Sequence, residues 1–423
     1  MRVTVREGSL KGKVSVPSSK SYTHRGLICA ALAEGRSRIL SPLNSDDTDA
    51  TAEILGKLGV EITRDGTTWE VAGGELWEPV EALNCRESGT TLRIATALCT
   101  LVEGRCTLTG EPSLMRRPMG PLIDGLNQLG ASCTVSEDSS QIVVDGGALK
   151  GGIAEIRGDV SSQFVSAILL VAPRTQEGAT LKLTTPLESR PYVRMTMEAQ
   201  RAFGVEVQAA EGMEEFRVES QRYRPAEYGV EGDWSSAAYL IAGGALTGTV
   251  ELHGLRTKSS QADAAMVDAL RMMGADISTR DGSIAVGSDR LRGIIFDVSD
   301  CPDLFPILSA LCAAAEGDSV IKGIRRLRLK ESDRVAAMAE GLERMGVETS
   351  EDENRFIIKG SNPKGGTVDP HGDHRIAMAF GVLGLAAEGE TTILDGECVS
   401  KSFPGFWGAL EDLGADLRRE DVE

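Results

Sequence analysis

The chain has 423 residues, of which 41% are apolar, and its 45 basic against 63 acidic side chains leave a formal net charge of -18. That length exceeds one ordinary hydrophobic core and predicts at least two folded domains. The acidic balance excludes nucleic acid and anionic membrane surfaces as partners, because either repels such a chain over a Debye length.

Met1-Arg2-Val3-Thr4-Val5 opens with strand-like alternation. It carries no apolar signal core or Arg/Ser-rich transit segment, and no apolar run reaches spanning length, so a cytoplasmic protein without membrane contact is expected. After the turn-rich Lys11 to Ser19 comes an alanine-rich apolar run that reads as a helix with a polar, cap-forming start at Ser19-Lys20-Ser21. Corresponding starts follow at Ser88-Gly89-Thr90, Gly158-Asp159-Val160-Ser161-Ser162, Gly232-Asp233-Trp234-Ser235-Ser236, Pro302-Asp303 and Gly372-Asp373-His374. A second signal interleaves with the first at Leu58-Gly59-Val60, Leu129-Gly130-Ala131, Phe203-Gly204-Val205, Met273-Gly274-Ala275, Met345-Gly346-Val347 and Leu413-Gly414-Ala415. Each of these glycines suits the left-handed position that ends a helix, and a short alternating strand follows.

Two signals recurring together every ~70 residues predict a unit repeated six times, which divides into two domains of three. Arg222 to Gly232 breaks the apolar pattern near the middle. Crossings between domains are placed near residues 11–19 and 222–232. They give one discontinuous domain of residues 1–14 plus 231–423 and an inserted domain of residues 15–230. Strands alternating with small-residue helices predict an α/β (α+β) fold whose helices are partly buried inside each domain.

Helix N-termini present unsatisfied N–H groups and a positive dipole end, and here cations gather at them. Lys20 and Arg25 stand at the first start, Arg93 beside Gly89 at the second, and Arg375 beyond Asp373-His374 at the sixth. Arg325 to Arg334, R-R-L-R-L-K-E-S-D-R, is the densest cluster, while Arg116-Arg117-Pro118 and Ser400-Lys401-Ser402 add cations in loops. Capping alone explains any single start, and a solvated face explains Arg325 and Arg328. Guanidinium forks and mobile ammonium groups in this number point further, to a cleft for small, multiply anionic molecules. The eight cysteines form no C-x-x-C pair and no His/Cys metal spacing, and read as buried thiols of a reducing compartment. Cys85, beside Arg86, is the one candidate for a reactive thiol. His24, His253 and His371 read as capping or surface groups.

Pro17-Ser-Ser-Lys-Ser-Tyr-Thr-His-Arg25, S-G-T-T-L-R, R-R-P-M, V-S-S-Q-F, D-C-P-D, L-K-E-S-D-R, G-D-H-R and S-K-S-F-P run in this order along nearly the whole chain. The set resembles the 5-enolpyruvylshikimate-3-phosphate synthases, a family of enolpyruvyl transferases. The resemblance implies two similar domains, each of three β-α-β-α-β-β units, with the active site in the cleft between them. It implies transfer of the enolpyruvyl group of phosphoenolpyruvate to the 5-hydroxyl of 3-phosphoshikimate by addition and elimination, releasing phosphate on the way to chorismate and the aromatic amino acids. No metal or organic cofactor is implied, glyphosate is the expected inhibitor, and a monomer is expected.

Residue by residue, the resemblance implies that Lys20, Ser21, Arg25, Ser161, Ser162, Gln163, Ser189, Asp303 and Lys330 hold 3-phosphoshikimate, with Tyr192 nearby. Lys20, Gly89, Arg117, Gln163, Arg334, Arg375 and Lys401 would surround phosphoenolpyruvate. Asp303 is the expected acceptor of the hydroxyl proton, and Glu331 with Lys20 or Lys330 the expected proton donors. Glu87 stands where many relatives carry Asn; a carboxylate there is compatible with an anionic substrate when it pairs with Arg86 or Arg93. The sister transferases that use UDP-N-acetylglucosamine differ in having Lys-Asn where this chain has Lys20-Ser21, and a cysteine in the loop that is Glu111 to Pro118 here. A repeat scaffold without catalysis accounts for the six units but leaves the cations at their starts unexplained.

Overall fold

All six glycines of the repeat have the positive φ that an L side chain rarely adopts: 92° at Gly59, 96° at Gly130, 78° at Gly204, 88° at Gly274, 77° at Gly346 and 99° at Gly414. Each ends a helix and turns the chain toward a strand, as at Glu61–Asp65 after Gly59 and Asp276–Arg280 after Gly274. The computed structural model describes every residue except 148, 281, 289, 422 and 423.

Among the described residues the strands form six sheets of four, all of one pattern. Gly152–Ile156 lies parallel to Ala179–Leu183, across the helix Ser162–Val171. A second helix, Arg190–Ala202, leads to the hairpin strands Gln208–Ala209 and Glu215–Val218, and the latter returns antiparallel beside Ala179–Leu183. This is the β-α-β-α-β-β unit. Three sheets recruit a strand from far along the chain, the first of them taking Lys11–Ser15 beside Thr249–His253. Glu227–Gly229 joins Gly35–Leu40, and Arg2–Arg6 lies between Glu390–Ile393 and Leu417–Glu420.

By its internal contacts the chain divides into one unit of Met1–Pro17 with Glu231–Glu423 and another of Ser18–Val230. The first crossing falls after Pro17 because the whole strand Lys11–Ser15 pairs with Thr249–His253 of the discontinuous unit. Each unit has its own core.

Within a repeat the two helices differ in kind. The first is apolar on every side and buried along its length, as in Phe305–Ala313 and His374–Gly384, so its polar start is the part able to reach a ligand. The second is amphipathic; Arg190–Ala202 buries Val193, Met195 and Ala199 and turns its charged residues outward. Small residues let the strands close on the buried helices. A Cβ at Gly73 would stand 2.1 Å from the Ala30 carbonyl oxygen, one at Gly146 2.3 Å from that of Cys99, and one at Gly360 1.9 Å from that of Ala315. Gly73→Ala is therefore expected to cost about 1–3 kcal/mol through overpacking. A urea midpoint unchanged from the parent would show that the helix end moves aside.

Candidate active site

In the unit Ser18–Val230, three helix starts are tied together by side chains. Lys20, the first residue of helix Lys20–Leu32, places its Nζ 2.7 Å from Asp47 of helix Asp46–Lys57. The Thr51 and Thr91 hydroxyls lie 2.7 Å apart and link that helix to Gly89–Cys99. Arg93 Nη1 donates to Gln163 Oε1 at 2.5 Å, and Gln163 Nε2 donates to Thr90 at 3.0 Å, which joins the second start to the third. Ser161 caps that third helix, accepting from the Gln163 backbone N–H, and Ser162 is its first residue.

Arg25 is the singular cation of this unit. It is 3% exposed, and its guanidinium donates to Thr196 Oγ1 at 2.8 Å and to the carbonyls of Ser21 and Tyr192 at 2.9 Å each. All three acceptors are neutral, no carboxylate pairs with it among the described residues, and burial lowers its pKa. A buried cation held only by neutral acceptors is prepared for an anion. Gly89 has a steric reason to be glycine, since a Cβ there would meet Arg93 Nη1 at 2.8 Å and Arg117 Nη1 at 2.9 Å. Two guanidinium groups thus meet at a helix N-terminus. Ser189 precedes helix Arg190–Ala202 in the left-handed region, with φ 56°.

In the other unit the buried guanidinium groups are paired with carboxylates. Arg334, 1% exposed, bonds three carboxylates: Asp373 through Nε at 2.8 Å, Asp303 through Nη1 at 2.8 Å and Glu331 through Nη2 at 2.7 Å. Arg375 Nη2 lies 2.8 Å from the other oxygen of Asp303. Burial pushes the Asp303 pKa up, but Arg375, Lys330 and Arg334 outweigh it and hold the carboxyl well below its usual range. Lys330 is pushed down to about 8, chiefly by burial and against the pull of Asp303. Lys401 Nζ donates to the Gly372 carbonyl at 2.7 Å.

Several expectations are corrected. Asp303 and Asp159 do not cap helices. Asp303 sits in the short turn Pro302–Leu304 and gives both oxygens to guanidinium groups, whereas Asp159 pairs with Arg157 and Ser161 caps in its place. Asp233 and Asp373 do cap. His24 is a core residue, not a surface or capping group: its Nδ1 lies 2.8 Å from Thr51 Oγ1, and burial lowers its pKa to about 3, so the ring is neutral. Arg86 pairs with Glu53 rather than with Glu87, to which Ser113 donates at 3.4 Å. Cys85 is buried and its thiol pKa is raised by that burial, which removes it as a nucleophile. Arg325 and Arg328 pair with Glu353 and Glu351 at the surface.

Sequence reasoning left Asp47 and Asp373 without roles in the site and named Arg93 among the helix-start cations without assigning it a substrate. Arg93, four residues after Gly89 on one helix face, was the traceable one. Asp47 and Asp373 read as helix-start residues, and only their partners distinguish them.

The family model described as EPSP synthase (3-phosphoshikimate 1-carboxyvinyltransferase) matches residues 5–410. The chain is 42% identical over 422 residues to the 3-phosphoshikimate 1-carboxyvinyltransferase of Dehalococcoides mccartyi, covering 99% of this chain and 100% of that protein. It is 43% identical over 431 residues to the enzyme of that name from Halobacterium salinarum, with 98% and 99% covered. Among solved structures it is similar to EPSP synthase from Acinetobacter baumannii, with TM-score 0.83, 29% identity and 99% and 100% covered. The enolpyruvyl transferase NikO from Streptomyces tendae, at 20% identity and TM-score 0.79 over 99% and 98% of the two chains, shares the fold.

Proposed function

We propose residue roles for a chain that belongs to the EPSP synthase family and that, accordingly, transfers the enolpyruvyl group of phosphoenolpyruvate to 3-phosphoshikimate. The observation that carries the assignment is the buried Arg25 guanidinium held by neutral acceptors alone. Together with Lys20, Ser21, Ser161, Ser162, Gln163 and Ser189 it receives 3-phosphoshikimate, while Asp303 and Lys330 face the reacting hydroxyl. Phosphoenolpyruvate is taken by Lys20, Gly89, Arg117, Gln163, Arg334, Arg375 and Lys401, with Arg93 added on the geometry around Gly89.

In the addition step the 5-hydroxyl oxygen bonds to C2 of phosphoenolpyruvate, its proton passes to Asp303, and a proton is placed on the methylene carbon. In the elimination step a proton leaves the new methyl group and the C2–O bond to phosphate breaks. Asp303 is a weak base while two guanidinium groups hold it. A phosphoenolpyruvate anion that draws Arg334 and Arg375 toward itself loosens that hold and raises the basicity of Asp303 when both substrates are present. Lys330, with its pKa lowered to about 8, is the better proton donor. Glu331, bonded to Arg334, is held as an anion and fits the donor role less well.

Glyphosate, a small anion, is expected to compete at the same cations. A reducing compartment such as the cytoplasm fits eight buried thiols, none in a disulfide among the described residues. Titration calorimetry with 3-phosphoshikimate, followed by a phosphate-release assay with both substrates, tests the reading. It fails if 3-phosphoshikimate neither binds nor is consumed. Arg25→Ala is expected to weaken 3-phosphoshikimate binding by about 2–3 kcal/mol, which is thirtyfold to a hundred-and-fiftyfold in Kd. An unchanged Kd removes Arg25 from its role.

A further inference from the structure

Beside the Asp303 ion pairs lies a buried carboxyl group without an assigned role. Asp263, in the turn Ala262–Ala265, is 1% exposed. Its Oδ2 accepts from the Ser235 hydroxyl, and its Oδ1 is buried with no hydrogen-bond partner. The neighbouring acids are treated differently. Asp303 has a guanidinium on each oxygen, and Asp373 has Arg334 Nε on one and the Arg375 backbone N–H on the other. A carboxylate taken out of water with one hydroxyl donor and no bonded cation costs several kcal/mol, and such a group neutralises instead.

The groups that face Asp263 are Asp303, Arg375, Asp233 and Cys301, from three separate segments of the unit. Arg375, the one cation among them, is already bonded to Asp303. Burial first, then Asp303 and Asp233, push the Asp263 pKa up to about 7, while Arg375 and the Ser235 hydroxyl pull the other way. Asp303 and Asp263 are thus two adjacent acids whose pKa values are driven apart, one down and one up.

We propose that Asp263 is held as a neutral carboxylic acid and serves as a positioning residue, leaving the Arg375 guanidinium to Asp303 and to the incoming phosphoenolpyruvate anion. The inference rests on the roles proposed for Asp303 and Arg375, whereas the protonation state of Asp263 stands apart from them. As pH rises through neutrality Asp263 loses its proton, and a second negative charge appears beside Arg375. The KM for phosphoenolpyruvate should then rise by about threefold to tenfold between pH ~6 and pH ~8.5.

Asp263→Asn has no proton to lose and should flatten that rise. Ser235→Ala removes a donor that favours the anion, so its midpoint should move to higher pH. The protonation state is read separately by difference infrared spectroscopy of free protein carrying 13C-labelled aspartate. A carboxylic-acid carbonyl band at neutral pH that disappears in Asp263→Asn supports the proposal. A wild-type protein without that band, a band that persists in Asp263→Asn, or a KM slope unchanged by the substitution overturns it. Because the band is measured without substrate, it holds or fails independently of whether the chain turns over phosphoenolpyruvate.

Discussion

Arg334→Ala is expected to lower the stability of its unit by about 3–5 kcal/mol, the cost of breaking a buried ion pair from one side. The side chain is 1% exposed and compensates Asp373, which is fully buried, as well as Asp303 and Glu331. With the guanidinium gone, Asp373 retains the Ser332 hydroxyl at 3.2 Å and the Arg375 N–H at 2.9 Å but no cation bonded to it. Asp373 also caps helix His374–Gly384, whose start carries Arg375, so the damage spreads to a second buried cation. Urea unfolding followed by far-UV circular dichroism measures the loss, and a midpoint within error of the parent would show that the ion cluster is not a structural element. Arg334→Lys restores charge without the three-way fork and should recover only part of the difference.

Asp303→Asn is expected to lower kcat by about 10²–10⁴, the usual contribution of a positioned proton acceptor. Asparagine keeps the shape and one oxygen for a guanidinium, but its amide cannot take the hydroxyl proton. Its NH2 group also faces Arg334 or Arg375 instead of accepting from it, so a modest loss of stability accompanies the loss of turnover. Single-turnover measurement with both substrates, made where circular dichroism shows the variant folded, separates the two effects. A kcat within a few-fold of the parent would move the base elsewhere.

The repeat was legible because it rests on local chemistry. A glycine with positive φ at a helix end and a polar residue at a helix start are requirements of a few consecutive residues, and six copies rise above chance. Strand recruitment was less legible. Arg2–Arg6 completes a sheet with Glu390–Ile393, and nothing in five alternating residues names a partner almost four hundred positions away. His24 was misread for a related reason. A histidine near a helix start resembles a capping group until packing removes water from it and leaves Thr51 Oγ1 as its hydrogen-bonding neighbour.

The order of the amino acids by itself determined where helices begin and end, that the unit recurs, and that cations stand at several of the helix starts. It could not separate Arg25 from Arg334. Both are arginines on helices close to their polar starts, yet one is left with neutral acceptors and the other is shared among three carboxylates. The tertiary structure decided that difference, and with it the contrast between Asp303 and Asp263, because the electrostatic state of a buried charge depends on lost water and on partners that the chain brings from distant segments.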